Sequence, residues 1–307
     1  MMVEMQHTRL CQQGRGRLRR VPVVLVGIVG LIVLNLLTAC GSPGNMPATT
    51  AKIAKATLVP QTQTTSRRLV WSDEFDGASG TPPDPSKWSP RIGGGGWGNK
   101  QLDYDTDNQN IYQDGQGNLV IEARKGNPTG LQCWYGACQY TSAQISTNGH
   151  FSFTYGQLEA RMKIPHGQGL WTAFWLLGNN CDTVGWPVCG EVDIMENIGT
   201  EPAIAHATIH GPGYFDGTYH LSSGALADDF HIYMVQWDPL HLYFLIDGKN
   251  YYTLDKATLK NQGDWVYDHP FNIVLNVAVG GTWPQNPDAT TIFPQKLYVS
   301  YIRLYTN

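Results

Sequence analysis

The sequence predicts an all-β fold, a β-sandwich of jelly-roll type built from two antiparallel sheets. Three observations predict it. Segments of strand length follow one another from Arg68 onward, several alternating apolar and polar side chains and the rest short apolar runs. Turn residues separate them, and the 307 residues include 34 Gly and 18 Pro. No long segment carries the 3.6-residue period of an amphipathic helix, and about one turn of helix is all that is expected, near Asp84–Lys87.

The strands predicted in order are Asn118–Ala123, Gly156–Ile164, Leu170–Leu177, Glu191–Asn197, Ala205–His210, His231–Trp237, Leu242–Ile246, Phe271–Val279 and Lys296–Tyr305. Order begins at Arg68-Leu69-Val70-Trp71. No internal repeat or second folded domain is visible, and a monomer is expected.

The N-terminus reads as a different kind of segment. Arg15, Arg17, Arg19 and Arg20 precede an apolar run, Val21 to Ala39, that ends in Leu37-Thr38-Ala39-Cys40. A basic flank, an apolar stretch and small residues at its end are the parts of an export signal. Leu-Thr-Ala-Cys further resembles a bacterial lipobox, which makes Cys40 the expected lipidation site and the membrane a partner. A plain membrane anchor is the rival reading, and both place the remainder outside the cytoplasm. Residues 1–39 are therefore assigned as a lipoprotein signal peptide. Residues 40–66, rich in Thr, Ala, Pro, Gln and Ser, are assigned as a linker, and residues 67–307 as the folded domain.

Composition narrows the function classes. Charged residues make up 15% of the chain, against 10 Trp and 15 Tyr. Setting aside the five Arg and one Glu of residues 1–39 leaves 16 basic and 24 acidic residues, a net charge of −8. No basic patch is visible, so nucleic acid is not an expected partner. Four cysteines fall in the folded part, Cys133, Cys138, Cys181 and Cys189, in a compartment that permits disulfides. Three pairings are possible. The local pairs Cys133–Cys138 and Cys181–Cys189 are expected, each clipping one loop. Zinc is the rival, though the spacing fits no CxxC pattern.

Two strands point to chemistry. On Leu170–Leu177, Trp171, Ala173 and Trp175 share one face, while Thr172, Phe174 and Leu176 share the other. Large apolar groups on both faces mean either a deep core or a concave cleft that offers aromatic platforms to a ligand. The segment Gly190-Glu191-Val192-Asp193-Ile194-Met195-Glu196 favours the cleft. Glu191 and Asp193 share a face, with Val192 and Ile194 toward the core. Acids so close together oppose one another's ionisation and suit a strand poorly. Strict alternation would turn Glu196 to the wrong face, so a β-bulge near Met195 is predicted, restoring it to the acid row. Two carboxyls about 5–5.5 Å apart across a glycosidic bond support double displacement with retention. One must be ionised to attack and the other protonated to donate, while Asp193 between them tunes the difference. A solvated acidic face and a calcium site are the rival readings.

At this strand the chain resembles glycoside hydrolase family 16, the laminarinase-like enzymes, whose signature Glu-x-Asp-x-x-Glu is matched at 191–196. LVWSDEFDG (69–77), GWGNKQLDYDTD (96–107), GNLVIEARK (117–125), YGQLEARMKIPHGQGLWTAFWLLG (155–178), HATIHGPGY (206–214), LNVAVGGTWP (275–284) and FPQKLYVSYIRLY (293–305) are similar to that family in order. The resemblance implies that Glu191 is the nucleophile, Asp193 the helper acid and Glu196 the general acid/base. It also implies that Glu159 and Arg161 form a sugar-binding pair, with a surface ion pair as the rival. Trp171, Trp175 and Trp186 would stack on pyranose rings, with core packing as the rival for each. Asn99, Asn276 and Trp283 match further cleft positions. His206 and His210 share a strand face and suit cleft hydrogen bonding, with His210 near the acids; a metal pair lacks a visible third ligand, so no metal is expected.

The implied activity is endo-hydrolysis of β-1,3-glucan or mixed-linkage β-1,3-1,4-glucan with no cofactor required. A transglycosylase, a non-catalytic β-glucan-binding protein and a galactan-cleaving enzyme are alternatives on the same fold. Three departures stand out. Ser300 replaces the Asp that supports a structural calcium in many members, which removes that ligand. Lys100-Gln101-Leu102 stands where Asn-Glu-Leu is frequent, and Thr172 where Pro is.

Overall fold

The computed structural model describes residues 67–306, apart from Pro128 and residues 260–262. The signal peptide assigned to residues 1–39, the lipidation site Cys40 and the linker 40–66 lie outside the described residues.

Two sheets face one another. The larger runs in the order Lys249–Asp255, His241–Ile246, His231–Trp237, Gly156–Lys163, Gln295–Thr306, Leu119–Lys125, Tyr140–Ser142 and Asp103–Asp105. Arg68–Asp73 also pairs with Gln295–Thr306, and Ile111–Gln113 with Leu119–Lys125. The smaller runs Tyr214–His220, Ile204–His210, Glu191–Ile198, Leu170–Gly178, Phe271–Val279, Gln144–Ser146 and Ser89–Pro90. Alternation decides what lies between them. Leu158, Ala160, Met162, Val235, Phe244, Val299 and Ile302 of the larger sheet meet Phe174, Leu176, Val192, Ile209, Ile273, Leu275 and Val277 of the smaller in one buried cluster.

The predicted jelly-roll sandwich is thus present, with three differences. Asp103–Asp105 pairs in parallel with Tyr140–Ser142. Tyr214–His220 and Lys249–Asp255 are strands the alternation did not reveal, because each is the last strand of its sheet and carries mostly half-exposed or exposed residues. Residues near 84–88 form only a turn, whereas a four-residue helix, Cys181–Val184, sits in the loop before the acidic strand. Both local disulfides form, Cys133–Cys138 and Cys181–Cys189, with Cα atoms 5.0 and 4.8 Å apart.

Candidate active site

The outer face of the smaller sheet is a cleft of about 770 Å³. Its floor is set by strand register. Leu177, Trp175 and Ala173 lie opposite Glu191, Asp193 and Glu196 on one side of the acidic strand. His210, Thr208 and His206 lie opposite the same acids on the other side.

The predicted bulge is present, and its cause is local. The pairing skips Ile194, so that Phe174 meets Met195 while Trp175 meets Asp193. Ile194 and Met195 are 1% and 0% exposed, so two successive apolar side chains enter the core. The chain gains one residue there, and Glu196 emerges on the same face as Glu191 and Asp193.

Each acid is held differently. Glu196 accepts from Thr208 Oγ1 at 2.6 Å and from Trp171 Nε1 at 3.1 Å. Glu191 accepts from Trp186 Nε1 at 3.1 Å. Asp193, 3% exposed, leaves Oδ2 with no hydrogen-bond donor. His210 Nε2 stands 3.3 Å from that oxygen and 3.6 Å from Glu191 Oε1. Burial and the neighbouring Asp193 push the Glu191 carboxyl up to about 8. Burial, then the charge of Glu196, holds Asp193 well above the usual carboxylate range. Burial also raises Glu196, against the opposing hydrogen bonds from Thr208 and Trp171. All three carboxyls shift upward, so the row holds protons at a pH where free carboxylates have none. Glu191, Asp193 and His210 also bring three donor atoms within 4.8 Å of one another.

The aromatic positions resolve toward the cleft. Trp171 packs edge-on against Trp283 at 5.3 Å, and Trp283 against His206 at 5.1 Å. Trp175 donates Nε1–H to Asn276 Oδ1 at 2.8 Å. Trp186, 60% exposed, rides on the Cys181–Cys189 loop at the rim, and its ring lies 5.5 Å from that of His210. Asn99 lines the cleft and accepts from the Thr282 amide at 2.8 Å, tying its loop to the one that carries Trp283. His206 is bound to Glu201 at 2.7 Å.

Glu159 and Arg161 require correction. They project from Gly156–Lys163 in the larger sheet, on the face away from the core residues Leu158, Ala160 and Met162, and neither lines the cleft. Glu159 accepts from Gln157 Nε2 at 2.9 Å, and Arg161 stacks on Phe230 at 4.2 Å. The two do share a face, but a spacing of two does not say which sheet a strand joins.

Other cleft residues, Thr208 apart, carry no signal in their own spacing. Arg91, Trp97, Gln144, Thr208, Tyr214 and Asp216 all line it. Arg91 is pinned between two rings, 5.0 Å from the Trp97 centroid and 5.8 Å from that of Trp175. Thr208 was findable, since it faces the cleft between His206 and His210 on one strand.

Residues 98–301 match the family Glycosyl hydrolases family 16. A β-glucanase of Rhodothermus marinus is 39% identical over 77% of this chain and 84% of its own length. The glucan endo-1,3-beta-glucosidase A1 of Niallia circulans is 34% identical over 77% of this chain, which spans 37% of that longer protein. Among solved structures, the laminarinase catalytic domain of Thermotoga maritima superposes with a TM-score of 0.74 at 45% identity, covering 78% of this chain and 98% of that one.

Proposed function

The chain belongs to the glycosyl hydrolases of family 16, and from that premise we propose that it hydrolyses β-1,3-glucan and mixed-linkage β-1,3-1,4-glucan within the chain, by double displacement with retention. The observation that carries the mechanism is the bulge at Ile194, which gathers Glu191, Asp193 and Glu196 in one row on the cleft floor.

Glu191 attacks the anomeric carbon while Glu196 donates its proton to the departing glycosidic oxygen. The C1–O bond to the leaving chain breaks as a C1–O bond to Glu191 forms. Water then enters, Glu196 takes one of its protons, and the new bond to C1 releases the Glu191 carboxylate. Glu191 must be ionised to attack, and the Asp193 charge is the chief electrostatic force opposing that. Asp193 is the most deeply buried of the three, and its Oδ2 has no donor. It therefore keeps a proton first. A neutral Asp193 removes that repulsion from Glu191 and can itself donate to a neighbouring carboxylate. Trp171, Trp175 and Trp283 supply the faces against which pyranose rings stack, and no step calls for a cofactor.

Reduced laminarin-type oligosaccharides followed by proton NMR test this reading. The first product formed must be the β-anomer. Glu191→Ala must lose nearly all turnover and recover it with azide as the α-glycosyl azide. Glu196→Ala must yield the β-glycosyl azide from an activated substrate. An inverted first product, or near-normal turnover by either variant, would refute the assignment.

The Leu-Thr-Ala-Cys segment supports export and anchoring through a lipid on Cys40. Cys40→Ser should move the enzyme from the membrane fraction to the soluble one.

A further inference from the structure

A buried acid pair lies behind the wall of the cleft, outside the catalytic row. Asp103 and Asp105 occupy one short strand and are 0% and 2% exposed. Each already uses one oxygen. Asp103 Oδ1 accepts from the Val279 amide at 2.7 Å, directly before the turn Gly280–Gly281. Asp105 Oδ2 accepts from Trp97 Nε1 at 2.7 Å. The remaining oxygens, Asp103 Oδ2 and Asp105 Oδ1, are buried without a hydrogen-bond partner, and the two side chains share one face of a three-residue strand. Two such groups, dry and adjacent, cannot both be ionised at low cost; one proton shared between them satisfies both leftover oxygens.

The residue this pair holds needs holding. Trp97 has φ 47°, a left-handed conformation that costs a large side chain free energy. Gly93 and Asp105 exchange backbone hydrogen bonds at 2.9 and 3.1 Å, fixing the start of the Trp97 loop. Trp97 then presents its ring to the Arg91 guanidinium, whose other aromatic neighbour is Trp175, opposite Asp193 in the acid row. Arg91 lines the cleft, where the Asp105 and Glu191 carboxylates also favour its charge. A continuous path thus runs from the acid pair through Trp97 and Arg91 to Trp175.

We propose that Asp105, sharing one proton with Asp103, is a positioning residue that acts through Trp97 to hold Arg91 and Trp175 as the sugar platform at this end of the cleft. The inference rests on the cleft being the glucan site. It requires that the path govern how tightly a chain binds and leave the bond-breaking step alone.

A double-mutant cycle on glucan hydrolysis tests it. Trp97→Phe keeps the ring and loses the N–H donor; Asp105→Leu loses the acceptor. Each should raise KM roughly fivefold with kcat within about twofold, as expected for one lost hydrogen bond that orients a binding surface. The double variant should raise KM no further than either single one. Asp105→Asn, whose amide oxygen still accepts from Trp97 and whose NH2 can donate to Asp103, should restore the wild-type KM. Additive effects, a fall in kcat at unchanged KM, or a loss in Asp105→Asn as large as in Asp105→Leu would overturn the proposal. Should Asp105→Leu fail to fold, Trp97→Phe and Asp105→Asn decide: the first must raise KM and the second must not. Wild-type enzyme without glucan turnover would refute the function and this inference with it, whereas turnover with an unmoved KM refutes the inference alone.

Discussion

Thr208 donates its hydroxyl to Glu196 Oε2 across 2.6 Å, from the strand beside the acid row. This bond opposes the burial that raises Glu196, because a donor favours the charged carboxylate. Thr208→Val removes the donor and keeps the shape. The Glu196 carboxyl then holds its proton to higher pH, and the alkaline limb of kcat/KM should move up by about one pH unit. An unmoved limb in a variant of unchanged Tm would mean that Glu196 is not the acid that sets it.

The buried acids also tie stability to pH. Glu191 is pushed up to about 8 in the folded chain, from an ordinary value of 4.5. Between those values the folded state binds the proton more tightly than the unfolded state does. Stability is therefore full below pH 4.5 and falls as pH rises through about 8, by an amount on the order of a few kcal/mol. Tm should decline across this window. Glu191→Gln should flatten the decline and be more stable than wild type at pH 8.5, while losing activity. A variant whose Tm tracks wild type at every pH would contradict the burial cost assigned to this group.

The sheets and the acid row were legible because their signals are local. Glu191, Asp193 and Glu196 announce a bulge through a spacing of five that alternation cannot place on one face, and Ile194–Met195 supplies the apolar pair that forces it. The tryptophans of Leu170–Gly178 were legible as a face, and the acid strand beside them decided which face is wet. What failed is non-local. The spacing of Glu159 and Arg161 fixes their common side but not their sheet. Trp97 and Asp105 meet only because Gly93 bridges to Asp105 and folds the glycine-rich loop back, a contact no periodicity encodes. The helix Cys181–Val184 buries none of its residues, so it has no apolar stripe to read.

The correction at the larger sheet has a direct check. Arg161 stacks on Phe230 on the side of the sandwich away from the cleft. Arg161→Ala should leave kcat and KM for glucan within about twofold of wild type and lower stability by roughly 1 kcal/mol through the lost stack. A several-fold rise in KM would return this face to the substrate path.

The two disulfides brace different parts of the cleft, and their removal should separate in the kinetics. Cys133–Cys138 closes the hairpin Gln132–Ala137, whose Trp134 donates Nε1–H to the Gln101 carbonyl and its amide to the Gly94 carbonyl, both at 2.8 Å. Tyr135 donates its hydroxyl to the Leu102 carbonyl. At Gly96, a Cβ would come within 2.9 Å of the Trp134 ring, so the hairpin packs directly on the loop that carries Trp97 and Asn99. Cys181–Cys189 instead closes the loop whose Trp186 donates to Glu191. Loops this short contribute about 2 kcal/mol each by chain entropy, or roughly 5 °C in Tm. Cys133→Ser/Cys138→Ser should therefore lower Tm by about that much and raise KM, because it loosens a binding loop. Cys181→Ser/Cys189→Ser should cost similar stability but lower kcat, because it frees the donor on the Glu191 carboxylate. Equal changes in KM and kcat from both double variants would show that the clips act only on global stability.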